Sequence, residues 1–208
     1  MSSTYLKIHP DNPQKNKIDQ VIAVLKKGGV IIYPTDTVYA MGCDISQSKA
    51  IEKICKIKGV DPTKHHFSIM CNDLSHLSNY AKQLSNSVFK LLKTKLPGPH
   101  TFILNIGGDA PKSLYSKKKT IGIRVPDHAI VRLIVEELGH PLLTTSIKHK
   151  DEILEYMTDP EEIFEQFKNQ VDLVIDGGTG SNVPSSVWDC TSDEIILIRE
   201  GKLNSTNS

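Results

Sequence analysis

No apolar run in this chain is longer than a strand, and such runs alternate with segments of helical period through nearly all of its 208 residues. That alternation leaves α/β as the architecture. Ile18, Val21, Ile22 and Leu25 fall on one stripe of a helix over 18–27, which Gly28-Gly29 ends. Val30–Tyr33 is a continuous apolar run of the kind that forms a buried strand. The same reading gives helices over Ser48–Lys58, Leu74–Tyr80 and Asn86–Lys95, and strands over Phe67–Cys71, Thr101–Ile106 and Thr120–Val125. A helix over Pro126–Leu138 has proline at its start and Gly139 past its end, and Leu142–Ile147 is a strand. Asp159-Pro160 opens a helix that runs to Asn169 and leads into a strand, Val171–Asp176. The tail reads as a hairpin, Ser186–Cys190 and Glu194–Glu200, around Thr191-Ser192-Asp193. Helical crossovers together with a hairpin predict a mixed sheet. Residues 1–15 are expected to be a flexible N-terminal segment and 16–202 a single domain.

Composition narrows the class of function. Hydrophobic residues make up 38% and charged residues 24%, and the formal net charge is +1, so no global field selects a polyanion. No apolar stretch approaches the roughly 20 residues that cross a bilayer. The N-terminal sequence has no apolar core of a signal peptide, so a cytoplasmic protein with no membrane partner is expected. The four cysteines form no CxxC pair, and the eight histidines form no HxxxH or HExxH pair, so no metal site is expected. Walker A, GxGxxG and GxSxG motifs are absent.

Polar groups gather where strands end. Val30–Tyr33 runs into Pro34-Thr35-Asp36-Thr37, either the rim of a ligand cleft or a plain turn. Lys53, Lys56 and Lys58 close a helix, where they either complement its dipole or meet a phosphate. Arg124 stands in the apolar strand TIGIRV and must either pair or face a wet cleft. Leu143-Thr144-Thr145-Ser146 ends in hydroxyls. Asp176-Gly177-Gly178 is either a turn or a place where backbone N–H groups reach an anion. The basic run Lys112–Lys119 is either a solvated face or a contact for a phosphate backbone.

In order, YPTDTVYAMGCD, IKG, LPGPHTFIL, TIGIRVPDH, PLLTTS and DGG…PSSVWD resemble the YrdC/YciO family over about residues 18–200, with the YciO branch favoured. The resemblance implies a twisted mixed sheet with flanking helices and a concave basic cleft. It implies a nucleotidyltransferase-type enzyme that joins L-threonine, bicarbonate and ATP into threonylcarbamoyl-adenylate, releasing pyrophosphate, for N6-threonylcarbamoyladenosine formation in tRNA. Carried over, Thr35, Arg124, Ser146 and Asp176 would hold threonine, and Lys56, Lys58, Thr120 and Ser185 would hold ATP, which brings Mg2+ on its phosphates. Lys117, Lys118 and Lys119 would meet tRNA or other structured RNA. The site works by positioning, so no residue is assigned as a catalytic nucleophile or base. Two positions depart from the family's elements: Val60 replaces the arginine of K-x-R, and Lys148 replaces the asparagine of S-x-N. Those departures keep a second expectation open, an RNA-binding paralogue with weak or no synthase activity.

Overall fold

The computed structural model describes residues 3–61, 67–107, 119–148 and 156–203, and among these ten strands form one mixed, twisted sheet. In chain order they are β1 (Thr4–Lys7), β2 (Val30–Tyr33), β3 (Ala40–Asp44), β4 (Ser68–Met70), β5 (His100–Asn105), β6 (Thr120–Arg124), β7 (Leu142–Ser146), β8 (Leu173–Asp176), β9 (Ser186–Asp189) and β10 (Ile196–Arg199). Across the sheet they run β1-β8-β2-β3-β7-β4-β6-β5-β9-β10. The pairs β1–β8, β2–β8, β4–β6 and β5–β9 are parallel, and the remaining neighbours are antiparallel.

Six helices accompany the strands among the described residues: α1 (Lys15–Lys26), α2 (Ser48–Lys58), α3 (Leu74–Ser78), α4 (Asn86–Lys95), α5 (Ala129–Leu138) and α6 (Pro160–Phe167). None is long and apolar enough to cross a membrane. Side-chain alternation divides the strands between two cores. Val30, Ile32, Met41, Cys43, Ile69, Phe102 and Ile123 pack on one face with residues of α2, α3, α4 and α6. Ile31, Tyr33, Ala40, Met70 and Leu142 pack on the other with α1 and α5. That second core takes nothing from β5, β6 or β9. By the described residues the sheet is therefore covered twice over one half and once over the other, and the part they leave uncovered is the cleft described below.

Local chemistry sets the helix ends. Asp159 Oδ1 accepts the backbone N–H groups of Glu161 and Glu162, and Pro160 takes the first helical position of α6. Gly139 closes α5 with φ +81°, a conformation that favours glycine. Three elements differ from the sequence reading. Residues 4–7, read as part of a loose segment, add β1 in parallel to β8. Ala40–Asp44 is a fully buried strand although Ala-Met-Gly-Cys-Asp carries no β-branched residue. Helix α5 starts at Ala129, with Pro126 buried ahead of it rather than at its first position.

Candidate functional site

The strand register lays a band of small polar residues across the uncovered face. Thr144, Ser68, Gly122, Ile103 and Asp189 stand side by side on β7, β4, β6, β5 and β9. Thr120 and Asn105 are paired partners on β6 and β5. These residues, with Thr37, Thr101, Arg124, Ser146, Tyr156, Ser185 and Arg199, line a cleft of about 750 Å3, within the range that holds a small-molecule ligand. Gly122 sets the depth of its floor: a Cβ there would lie 2.3 Å from Ser68 Oγ and 3.2 Å from Thr101 Cγ2. Only a residue without a side chain keeps Ser68 and Thr101 in place on either side of it.

Arg124 is both a cleft residue and half of an ion pair. Its Nη2 donates to Asp36 Oδ1 at 2.5 Å, and both side chains are nearly inaccessible to solvent. Asp36 is held in turn, with Oδ2 accepting the Asp127 N–H at 3.1 Å and its carbonyl accepting Lys202 Nζ at 2.7 Å. Arg124 Nε is buried and has no hydrogen-bond partner among the described residues. Opposite, Thr101 and Ser185 hydroxyls lie 2.8 Å apart, and Arg199 donates through Nε and Nη2 to the Ser185 carbonyl at 3.1 and 2.8 Å. Asp189 Oδ1 is occupied by the Thr191 N–H and hydroxyl. Lys58 Nζ donates to the Ser146 carbonyl at 2.8 Å. Burial, and then the neighbouring Lys148 charge, push the Lys58 pKa down. The Lys148 ammonium lies 5.3 Å from the centre of the Tyr156 ring.

Of the residues singled out in the sequence, the structure brings Arg124, Ser146, Thr120 and Ser185 into the described lining, with Lys58 one hydrogen bond behind Ser146. Thr35 stands apart from that lining. Its buried hydroxyl donates to the Val38 carbonyl and accepts the Thr37 N–H, shaping a turn that presents Thr37 to the cleft. Asp176 also stands apart, accepting the Gly178 N–H at 2.9 Å. Gly177 donates its N–H to Tyr39 Oη, so both glycine N–H groups of this turn bond within the protein. Lys56 is exposed on α2. Lys119 is exposed beside Thr120, whereas Lys117 and Lys118 lie outside the described residues. Val60 is half-buried against the core, so no cation stands there.

Ser68, Thr101, Asn105, Tyr156, Asp189 and Arg199 are cleft residues that sequence reasoning did not single out, whereas Thr37 and Thr144 belong to the polar strand ends it named without assigning either a role. For the strand residues the signal lay in alternation: Thr101, Ile103 and Asn105 share a face, as do Thr120, Gly122 and Arg124. Arg199 reaches the cleft because β9 joins β5 in parallel and brings β10 with it, a pairing no local pattern announces.

The family model named for Sua5, YciO and YrdC, described as telomere recombination, matches residues 23–201. The chain is 45% identical over 201 residues to the uncharacterised protein YciO of Escherichia coli strain K12, covering 96% of each. The crystal structure of E. coli YciO superposes with a TM-score of 0.89 at 44% identity, again over 96% of each chain. Threonylcarbamoyl-AMP synthase of Nitrosococcus oceani is 32% identical over 167 residues, 80% of this chain and 89% of that one. The fold also matches P. abyssi Sua5, solved with L-threonine, at a TM-score of 0.86 and 24% identity, over 96% of this chain and 58% of that one. Matched over most of its length by the family model and by relatives of 45% and 32% identity, the chain belongs to the Sua5/YciO/YrdC family.

Proposed function

We propose that the protein is a threonylcarbamoyl-AMP synthase-type enzyme, taking L-threonine, bicarbonate and ATP and releasing pyrophosphate. The observation that carries this reading is a cleft whose described lining sets ten hydroxyl-bearing residues and the Asn105 amide around Arg124, in a chain 32% identical to a named synthase. The chemistry needs no protein nucleophile. The threonine nitrogen forms a C–N bond with the carbon of bicarbonate, which loses water. A carbamate oxygen then attacks the α-phosphorus, and the bond to the bridging oxygen breaks to release pyrophosphate. Both steps are accelerated by alignment and by donors aimed at developing negative charge.

In this reading Arg124, in the lining of the cleft, takes the threonine carboxylate, since a guanidinium matches that group in shape and charge. Thr37, presented by the Thr35 turn, and Ser146 face the same space. Lys58, bonded to the Ser146 carbonyl, would meet the phosphates, and Thr120 and Ser185 would offer hydroxyls to the nucleotide. Magnesium would arrive on the phosphates, with Asp189 as the carboxylate of the described lining able to share it. The product's use in tRNA N6-threonylcarbamoyladenosine formation belongs to the same proposal.

Val60 favours a second reading. A half-buried apolar residue packed on the core cannot supply the guanidinium of the K-x-R element, so the phosphate side of the cleft has less charge than the family's pattern provides. An RNA-binding paralogue with weak synthase activity is what that loss favours. Pyrophosphate release by the purified chain, with threonine and bicarbonate added and omitted singly, tests the first reading. Release that requires both supports it. Release unaffected by either, or absent while RNA is bound, moves the assignment to the second.

A further inference from the structure

The exposed apolar surface of this protein gathers at one edge of the sheet. Six large hydrophobic side chains are exposed among the described residues, and five share one neighbourhood: Ile196, Leu197 and Ile198 on β10, Leu203 after it, and Val183. Val183 belongs with them because the Lys202 N–H donates to the Pro184 carbonyl at 2.8 Å, tying the two segments together. A contiguous patch marks a contact surface, whereas a lone apolar residue such as Phe89 on α4 does not. β10 is also an open backbone edge, since it pairs with β9 alone among the described residues. Edges are ordinarily guarded by a charge, a proline or a bulge. The opposite edge, β1, contains Lys7 with an exposed ammonium. In β10 three aliphatic residues come in succession. Its register shift, between Leu197 and Arg199, leaves Ile198 without a partner on β9 and 56% exposed, which adds apolar surface and no charge.

Charge decides what covers this edge. Asp193 and Glu194 precede the aliphatic run, and Arg199 and Lys202 follow it. Neither acid has an ion pair among the described residues. Arg199 and Lys202 bond only neutral oxygens, those of Ser185 and the Asp36 carbonyl, so their charges are uncompensated. An antiparallel neighbour of the same sequence sets each copy's acids against the other's basic end, with the aliphatic runs opposed between them. A parallel neighbour sets like charge against like.

We propose that β10 is the contact between two copies of this chain, paired antiparallel about a two-fold axis near the middle of the strand. The five side chains together expose roughly the surface of two to three whole aliphatic residues per copy. That is small against the roughly 800 Å2 each partner buries in a standard interface, so the dimer is weak and forms with rising concentration. Ile198 and Arg199 also line the cleft, so the second copy's strand borders its rim. The contact does not depend on which reaction the cleft performs.

Sedimentation velocity of the full chain, from low to high micromolar concentration, tests it and should show a growing dimer. Leu197→Lys should weaken dimerisation roughly tenfold or more, because each dimer then carries two charges in its centre. Asp193→Lys, at an exposed position, should weaken it severalfold through like charge and keeps the test open if Leu197→Lys melts early. Phe89→Lys, away from the patch, should dimerise like wild type. Crosslinking reads the orientation. All four native cysteines are buried, so Leu197→Cys and Asp193→Cys each provide one reachable thiol. A short bismaleimide should join copies of Leu197→Cys and not copies of Asp193→Cys, whose thiols stand roughly 20 Å or more apart in the antiparallel pair. Monomer at every concentration, or a dimer that neither lysine variant at β10 weakens, overturns the contact. A dimer in which Leu197→Cys does not crosslink overturns the strand pairing, and crosslinking of both cysteine variants overturns its direction. Each of these results leaves the synthase reading untouched, and absence of synthase activity leaves the dimer standing.

Discussion

Removing the Asp36 carboxylate should strip Arg124 of its counter-charge inside the protein. Both side chains are about one-twelfth exposed, at 8% each, so solvent screens the pair little. Breaking a buried pair by deleting one partner costs about 3–5 kcal/mol, because the other charge stays desolvated. For a chain of this length that corresponds to a fall in Tm of roughly 6–20 °C. Asp36→Ala also leaves the Asp127 N–H without its acceptor, whereas Lys202 keeps the Asp36 carbonyl, so the turn survives. Asp36→Asn should lose less, since an amide oxygen can still accept from Nη2. Arg124→Met combined with Asp36→Ala should cost clearly less than the two single losses summed. Urea unfolding followed by fluorescence suits the protein, because its one tryptophan, Trp188, stacks on Phe102 with ring centres 6.4 Å apart and reports on β9 against β5. An Asp36→Ala variant within about 0.5 kcal/mol of wild type, the ordinary range of surface changes, would show that Arg124 does not depend on the Asp36 charge.

Gly122→Val should fill the cleft floor and displace Ser68, costing about 1–3 kcal/mol and abolishing ligand binding in calorimetry; unchanged binding would show that ligands sit elsewhere. Lys58 should lose its proton below the ordinary lysine range, since burial and Lys148 both disfavour its charge. Its share of ATP affinity should fade as pH rises through that lowered pKa, and Lys58→Arg, which does not titrate, should remove the pH dependence. Neutralising Lys117, Lys118 and Lys119 together should weaken binding of structured RNA and flatten its salt dependence by gel shift, and an unchanged slope would exclude that run as the contact.

Much of the fold was legible because burial enforces period. The four-residue run Val30–Tyr33 and the helix stripe Ile18, Val21, Ile22, Leu25 appear where their spacing predicts. β3 was illegible because its residues are selected by what surrounds them: Gly42 makes room for Tyr33, and both faces of the strand are covered. The site divides in the same way. Arg124 stood out because an arginine in an apolar strand demands a partner, and it has both Asp36 and the cleft. Thr35 stood out by its place after a strand, yet its hydroxyl bonds the turn while Thr37 faces the cleft. Arg199 and Tyr156 gave no local signal, since one reaches the cleft through β10 and the other follows β7 by ten residues.

In the proposed reaction this cleft joins the carbon of bicarbonate to threonine and caps the product with AMP. Purified protein supplied with ATP, L-threonine and carbon-13 bicarbonate gives the direct reading by mass spectrometry. A threonylcarbamoyl-AMP species one mass unit heavier than that formed from ordinary bicarbonate should appear in step with pyrophosphate and be lost in Arg124→Met. ATP and threonine bound, with no labelled adenylate formed, would contradict it.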